Sequence, residues 1–528
     1  MKRRTAILLS LAYLFVPRLL VAQEAAPIDP AHIYGERCAA CHGQDRLGGQ
    51  GPALIPEALV RLRREAAVRV IGKGRAATQM MGFEDQLSGR QIEALAGYIY
   101  SPLAKPPKWS VADIEASRVL GPPAPELAVP TFQADPLNLF VVVEAGDHHV
   151  TILDGDRFEP IHRFQSRFAL HGGPKFTRDG RFVFFASRDG WVTKFDLWTL
   201  RTVAEARAGL NTRNIALSAD GRHVAVANYL PHTLVVLAAQ DLAVEKVFDV
   251  ADRKGVGSRV SAVYQAPTRA SFIAALKDVP EIWEISTDPN APAVYSSLVH
   301  SHEKGAEEAL PSAQGLFALR RIEVDDPLDD FFFDPRYRHL LGSSRDGKRT
   351  VVVNLNVGRA IAHIDIPGLP HLGSGISWVM TEGERKGHRV VAMPHLREGK
   401  ISIVDMTEWT LIKHVATPGP GFFLRSHEGS RFAWADVMLG ASKDQILILD
   451  KETLEVSRTL TPWAGKTAAH VEFDRYGKHA LVSVWENPGA IVVYDAASFA
   501  EVKRIPMAKP SGKYNVHNKI TFSEGTSH

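Results

Sequence analysis

Ala219-Asp220-Gly221-Arg222-His223-Val224-Ala225-Val226 reads as a tight turn feeding a strand: Asp-Gly makes the turn, and the small and β-branched residues after it fit a buried pleated surface. The pattern recurs at Arg178-Asp179-Gly180-Arg181-Phe182-Val183-Phe184 and at Arg475-Tyr476-Gly477-Lys478-His479-Ala480-Leu481-Val482. Weaker copies begin near Leu139-Phe140-Val141, Ala270-Ser271-Phe272-Ile273, Lys348-Arg349-Thr350-Val351, Gly387-His388-Arg389-Val390 and Gly429-Ser430-Arg431-Phe432. Partner strands end in Asp, as in Val150-Thr151-Ile152-Leu153-Asp154, Ile401-Ser402-Ile403-Val404-Asp405, Ile446-Leu447-Ile448-Leu449-Asp450 and Ile491-Val492-Val493-Tyr494-Asp495. Several short strands per unit, recurring about every 40 to 50 residues, are what propeller blades require, and eight units predict eight blades.

Upstream the texture changes. Pro102, Pro106, Pro107, Pro122, Pro123, Pro125 and Pro130 predict a stiff, extended linker over residues 103–130, with a short helix between Val111 and Leu120. Before it stands Cys38-Ala39-Ala40-Cys41-His42, the spacing that covalent attachment of heme c requires: Cys38 and Cys41 add to the vinyl groups, and His42 binds the iron. These are the chain's 2 cysteines, so no second pair exists to complete a zinc site and none is left for a disulfide. The expected fold class is thus α+β multidomain: a small all-α cytochrome c domain over 23–102, then an all-β eight-bladed β-propeller over 131–528.

Lys2, Arg3 and Arg4, the apolar run Ala6–Val16 and small residues near Ala22 have the layout of a secretory signal peptide over 1–22. The run is short for a membrane span, and Val21-Ala22-Gln23 is a poor cleavage site, so an uncleaved anchor stays open. Heme c is attached outside the bacterial cytoplasm, so the reading is a periplasmic chain with no membrane partner after cleavage. The net charge of +3 falls near zero without the basic leader, leaving no footprint for nucleic acid.

The segment from Ala31 to Pro102 resembles a class I cytochrome c. In that family a Met three residues before a Phe is the second iron ligand, and Thr78-Gln79-Met80-Met81-Gly82-Phe83 fills that stretch. The resemblance selects Met80, with Met81 as the alternative.

The chain has 21 histidines, and His171, His371, His395, His427 and His470 lie where one repeat hands over to the next, which predicts a lined rim pocket. Phe168-Ala169-Leu170-His171-Gly172-Gly173-Pro174, followed by Arg188-Asp189-Gly190 and Phe195-Asp196-Leu197-Trp198, resembles the heme d1 domain of the cytochrome cd1 family. Thr212-Arg213-Asn214, Ser258-Arg259-Val260, Leu369-Pro370-His371-Leu372-Gly373 and Pro510-Ser511-Gly512-Lys513-Tyr514 continue the likeness over most of 130–520. The resemblance implies a non-covalent heme d1 or its dihydro precursor, with His171 as axial ligand and Arg188, Arg213 and Arg259 pairing with the ring carboxylates.

Nitrite reductases of that family have two distal histidines. His371 matches one, but Asp326-Pro327-Leu328-Asp329-Asp330-Phe331-Phe332, where the other belongs, has none. This departure implies the biosynthetic branch: a heme-dependent dehydrogenase that oxidises a propionate arm of the heme d1 precursor to an acrylate. Electrons would pass to heme c and on to a periplasmic cytochrome c or cupredoxin, with nitrite reductase as recipient of the finished ring. His371, then His427 and His470, are the candidate bases, because imidazole titrates near working pH. His371 as a second axial ligand stays open, as do nitrite reduction and a non-catalytic carrier.

Overall fold

The computed structural model describes residues 27–49, 51–60, 62–74, 80–122, 127, 129–295, 312–344, 349–522 and 524–525. The expected signal peptide over 1–22, Thr78, Gln79, and Pro123 and Pro125 of the expected linker lie outside them. Among the described residues no helix is long and apolar enough to cross a membrane.

In the first domain Ser88 caps the helix Gly89–Ile99 through a reciprocal pairing with Gln91: Gln91 N–H donates to Ser88 Oγ and Ser88 N–H to Gln91 Oε1. That helix buries Ile92, Leu95, Ala96 and Ile99, one face at helical spacing. The face packs with Ile33 and Tyr34 of Pro30–Arg37 and with Ala67 and Ile71 of Arg64–Lys73.

The second domain is a ring of eight four-stranded antiparallel blades. Blade 1 contains Leu139–Glu144, His149–Asp154 and Glu159–Gln165, and its innermost strand is the distant Pro510–Asn515, which closes the ring by pairing Phe140 with Asn515. Blades 2 to 8 follow in chain order from Lys175–Phe176 to Glu501–Met507.

Period-2 alternation explains why blades stack. In blade 3, Val224 and Val226 enter a core shared with blade 2, whereas Ala225 and Ala227 enter a core shared with blade 4. A strand in the middle of a blade thus feeds two cores. Phe140 and Val142 seal blade 1 against blade 8, while Leu139 and Val141 seal it against blade 2. A fully buried aliphatic side chain contributes about 1.5–3 kcal/mol, so a one-residue slip would forfeit two cores at once.

The recurrent Asp at strand ends also has a mechanism. Oδ1 of Asp154, Asp405, Asp450 and Asp495 accepts the two backbone N–H groups that open the following turn. Each such turn ends on a left-handed apolar residue: Phe158, Trp409, Leu454 and Phe499.

The segment expected as a linker is bound to the propeller. Its helix Val111–Ser117 buries Ile114 in the core between blades 2 and 3, and Val119–Leu120 adds an outer strand to blade 2.

Candidate functional site

In the cytochrome domain the short helix Ala39–His42 follows Cys38 directly, placing both thiols and His42 within one turn. The buried His42 ring donates Nδ1–H to the Pro52 carbonyl at 2.8 Å, which fixes the tautomer and leaves the Nε2 lone pair for a metal. Burial lowers its pKa and keeps it neutral. A Cβ on Gly51 would stand 2.6 Å from this ring, so the loop passes it only as glycine. Met80 packs against the domain core, whereas Met81 is 62% exposed. Two thiols, a neutral imidazole with an available nitrogen and an inward thioether are the donor set that a c-type heme takes.

On the propeller, His171 precedes Gly172 and Gly173, both with left-handed backbone; a Cβ on Gly172 would approach the Asn214 side chain to 2.6 Å. The His171 ring is held by Nδ1–H donation to the Arg213 carbonyl at 2.8 Å, and Arg188 Nη2 approaches its Nε2 at 2.9 Å. The Arg213 guanidinium is 3.3 Å from the same Nδ1, but two donors make no bond in this tautomer, and the shorter carbonyl contact decides.

His371 repeats the arrangement from across the ring. Its Nδ1–H donates to the Phe422 carbonyl at 2.7 Å, and Nε2 lies 3.9 Å from Asp330 Oδ2. The same Asp330 oxygen is 4.0 Å from the Arg213 guanidinium, and Oδ1 accepts from the Tyr264 hydroxyl at 3.0 Å. His371 therefore turns Nε2 toward Asp330, which Arg213 also faces, whereas His171 turns Nε2 toward Arg188. Burial lowers the His371 pKa, and the charge of Asp330 opposes it.

His470 joins this cluster through aromatic contacts, with ring centroids 4.7 Å from Phe423 and 5.1 Å from Tyr514. Among the described residues, neither of its buried ring nitrogens has a hydrogen-bond partner. Burial, reinforced by Lys513, Arg425 and Lys519, holds the ring neutral. One carboxylate links the backbone behind these two histidines: Asp436 Oδ1 accepts from the backbone N–H groups of Phe422, whose carbonyl holds His371, and of Phe423 at 2.7 and 3.1 Å, and Oδ2 from the backbone N–H of His470 at 3.0 Å. Burial pushes the Asp436 carboxyl up to about 6 despite these three donors.

Arg259 forks onto Asp278 at 2.8 and 2.5 Å, and its guanidinium faces Tyr229 at 5.5 Å. Lys277 and Arg188 flank the same phenol at 5.2 and 5.9 Å. Burial alone would raise the Tyr229 pKa, but Arg213, Lys277 and Arg188 together lower it. Lys277 also pairs with Asp329, so these cations stand among acids of the chain, with Arg259 on Asp278 and Arg213 facing Asp330.

Two histidines expected at the pocket are placed elsewhere. His427 accepts the Gly429 N–H on Nδ1 at 3.1 Å and lies against Phe473, so its ring organises a turn. His395 is fully buried and bonds through Nε2 to Ser402 Oγ at 2.7 Å, with His414 on the same hydroxyl. Of the five histidines expected to line the rim, three, His171, His371 and His470, are therefore connected through shared neighbours. Conversely, Tyr229, Lys277, Tyr264, Asp330 and Asp436 carry no signal of their own in the sequence, although Asp330 lies in the stretch where the resemblance places a second distal histidine.

Fold and site together define a two-domain cytochrome, a c-type heme module joined to a heme d1-type propeller. Residues 134–298 and 312–519 match the family described as Cytochrome D1 heme domain, and residues 25–99 match that described as Cytochrome C oxidase, cbb3-type, subunit III. The chain belongs to the cytochrome D1 heme family, in its dihydro-heme d1 dehydrogenase branch, and is an oxidoreductase carrying covalent heme c. It is 54% identical to dihydro-heme d1 dehydrogenase of Pseudomonas aeruginosa, covering 94% of this chain and 95% of that one. It is 24% identical to nitrite reductase of Stutzerimonas stutzeri, over 95% and 96% of the two chains. The solved structure of dihydro-heme d1 dehydrogenase NirN in complex with DHE superposes with a TM-score of 0.85 at 53% identity, covering 93% of this chain and 100% of that one.

Proposed function

We propose that this protein oxidises a propionate arm of the dihydro precursor of heme d1 to an acrylate, the last change to the ring, after export to the periplasm. The observation that carries this reading is Asp330, a carboxylate 3.9 Å from His371 Nε2 in the stretch where the family's nitrite reductases have a second distal histidine. A carboxylate beside one imidazole favours accepting a proton over donating two to a nitrogen oxide.

His171 is assigned as axial ligand to the ring iron, and Arg188, Arg213 and Arg259 as partners of the ring carboxylates. Converting CH2–CH2 to CH=CH releases two protons and two electrons. His371, neutral and tautomerically fixed, is the first proton acceptor. A second reading favours His470, because among the described residues neither of its buried ring nitrogens has a hydrogen-bond partner. Heme c, when bound, accepts one electron at a time, so each turnover needs two transfers and a periplasmic cytochrome c or cupredoxin to reoxidise it. The finished ring would then pass to nitrite reductase.

The test is a mass spectrum of the tetrapyrrole extracted after incubation with the dihydro precursor and an oxidant. Loss of two hydrogens is expected. Tight binding with unchanged mass would identify a carrier, and nitrite turnover would identify a reductase.

A further inference from the structure

Arg207, the last residue of the strand Arg201–Arg207, is buried between the two domains and engages both. Nη2 donates to the Leu47 carbonyl at 2.7 Å, and Nε donates to the Asp189 carbonyl at 2.8 Å. Leu47 belongs to the loop that follows His42, tied back by the bond from Gly48 N–H to the His42 carbonyl at 2.8 Å. Asp189 is the neighbour of Arg188, whose guanidinium reaches His171. A Cβ on Gly48 would lie 2.9 Å from Arg207 Nη2, so the loop touches the guanidinium itself.

The arginine is fixed from the other side as well. Its N–H donates to Ser117 Oγ at 2.8 Å, its carbonyl accepts the Trp109 indole N–H at 2.7 Å, and its guanidinium lies 4.9 Å from the Trp109 ring. Burying a guanidinium is costly unless its donors are used, and packing alone would be served as well by an apolar side chain. Here the planar fork bonds one carbonyl from each domain, which neither an apolar chain nor the single head of Lys reproduces. Asn211 adds a second crossing, Nδ2 to the Glu57 carbonyl at 2.9 Å.

We infer that Arg207 is a positioning residue that holds the heme c loop against the Arg188 and Asp189 turn of the ring site, fixing the span that electrons cross between the domains. Its purpose presupposes the electron route proposed above; the docking itself does not. The contact requires no chemistry at Arg207: its two N–H donors set a distance and an orientation.

Two readouts on the full-length holoprotein test this. Hydrogen exchange in the loop 45–48 should rise about tenfold in Arg207→Met, which keeps the length and loses both bonds, with a smaller rise in Arg207→Lys. With heme d1 itself bound, flash reduction of heme c should be followed by transfer to the ring that is slower by about tenfold or more in Arg207→Met, at unchanged heme c potential and unchanged ring affinity. If Arg207→Met does not fold, Asn211→Ala, which removes the outer crossing, should raise exchange and slow transfer to a smaller extent. A folded Arg207→Met with wild-type exchange and transfer, or, where that variant fails, an Asn211→Ala with neither change, would overturn the assignment. Neither readout involves oxidation of a propionate, so failure of the dehydrogenase reading leaves both interpretable.

Discussion

Arg188 Nη2 lies 2.9 Å from His171 Nε2, on the lone pair that points into the cluster. An arriving ring iron would displace that guanidinium and release it toward a carboxylate. His171→Ala should therefore abolish the visible bands of the bound ring and weaken its retention by tenfold or more, about 1.4 kcal/mol, while the heme c spectrum is unchanged. Absorption titration with the ring checks this, and unaltered bands would place the iron on another residue.

The roles of His371 and His470, linked through backbone bonds to Asp436, are separable. His371→Ala should keep the ring but slow side-chain oxidation by about 10²–10⁴-fold, the usual worth of a positioned base. Single-turnover rates decide: full speed in His371→Ala with a slow His470→Ala would transfer the role to His470. Loss of the ring in His371→Ala would instead make His371 a ligand.

At the cytochrome end, Met80 faces the core and Met81 faces solvent. Met80→Ala should leave heme c attached but change its ligation and potential, and Met81→Ala should do neither. Redox titration with the near-infrared thioether band tells them apart, and the reverse pattern would exchange the two assignments.

His395 predicts a pH dependence of stability. Burial, joined by Lys400, lowers its pKa to about 4 from an ordinary 6.5. The unfolded chain then binds more protons between these values, so this stabilising contribution is present above about 6.5 and is lost as pH falls toward 4. At pH 4.5 the loss should approach 2.5 kcal/mol in order of magnitude. Urea midpoints of wild type and His395→Gln, compared at pH 7.5 and 4.5, should converge in acid; an identical slope in both proteins would remove His395 as the cause.

The blades were legible because their signals are local. Gly180, Gly221 and Gly477 do take left-handed backbone at the turns, and alternation along each strand does sort residues between cores. The site was less so. His371 and His427 occur in similar settings, before Leu-Gly-Ser and Glu-Gly-Ser, yet one reaches toward Asp330 and the other bonds its own turn. Which side chains meet at the rim depends on how many blades close the ring and at what curvature, and no single strand encodes that. Tyr229 was invisible for this reason: its partners Arg188, Arg259 and Lys277 come from separate strands and turns.

The strand Pro510–Asn515 sits innermost in blade 1, and with it Lys513 and Tyr514 come to His470. A chain that ended before Pro510 would leave blade 1 without its inner strand and His470 without the aromatic wall of Tyr514, so one late segment completes both the closure of the propeller and one side of the histidine cluster.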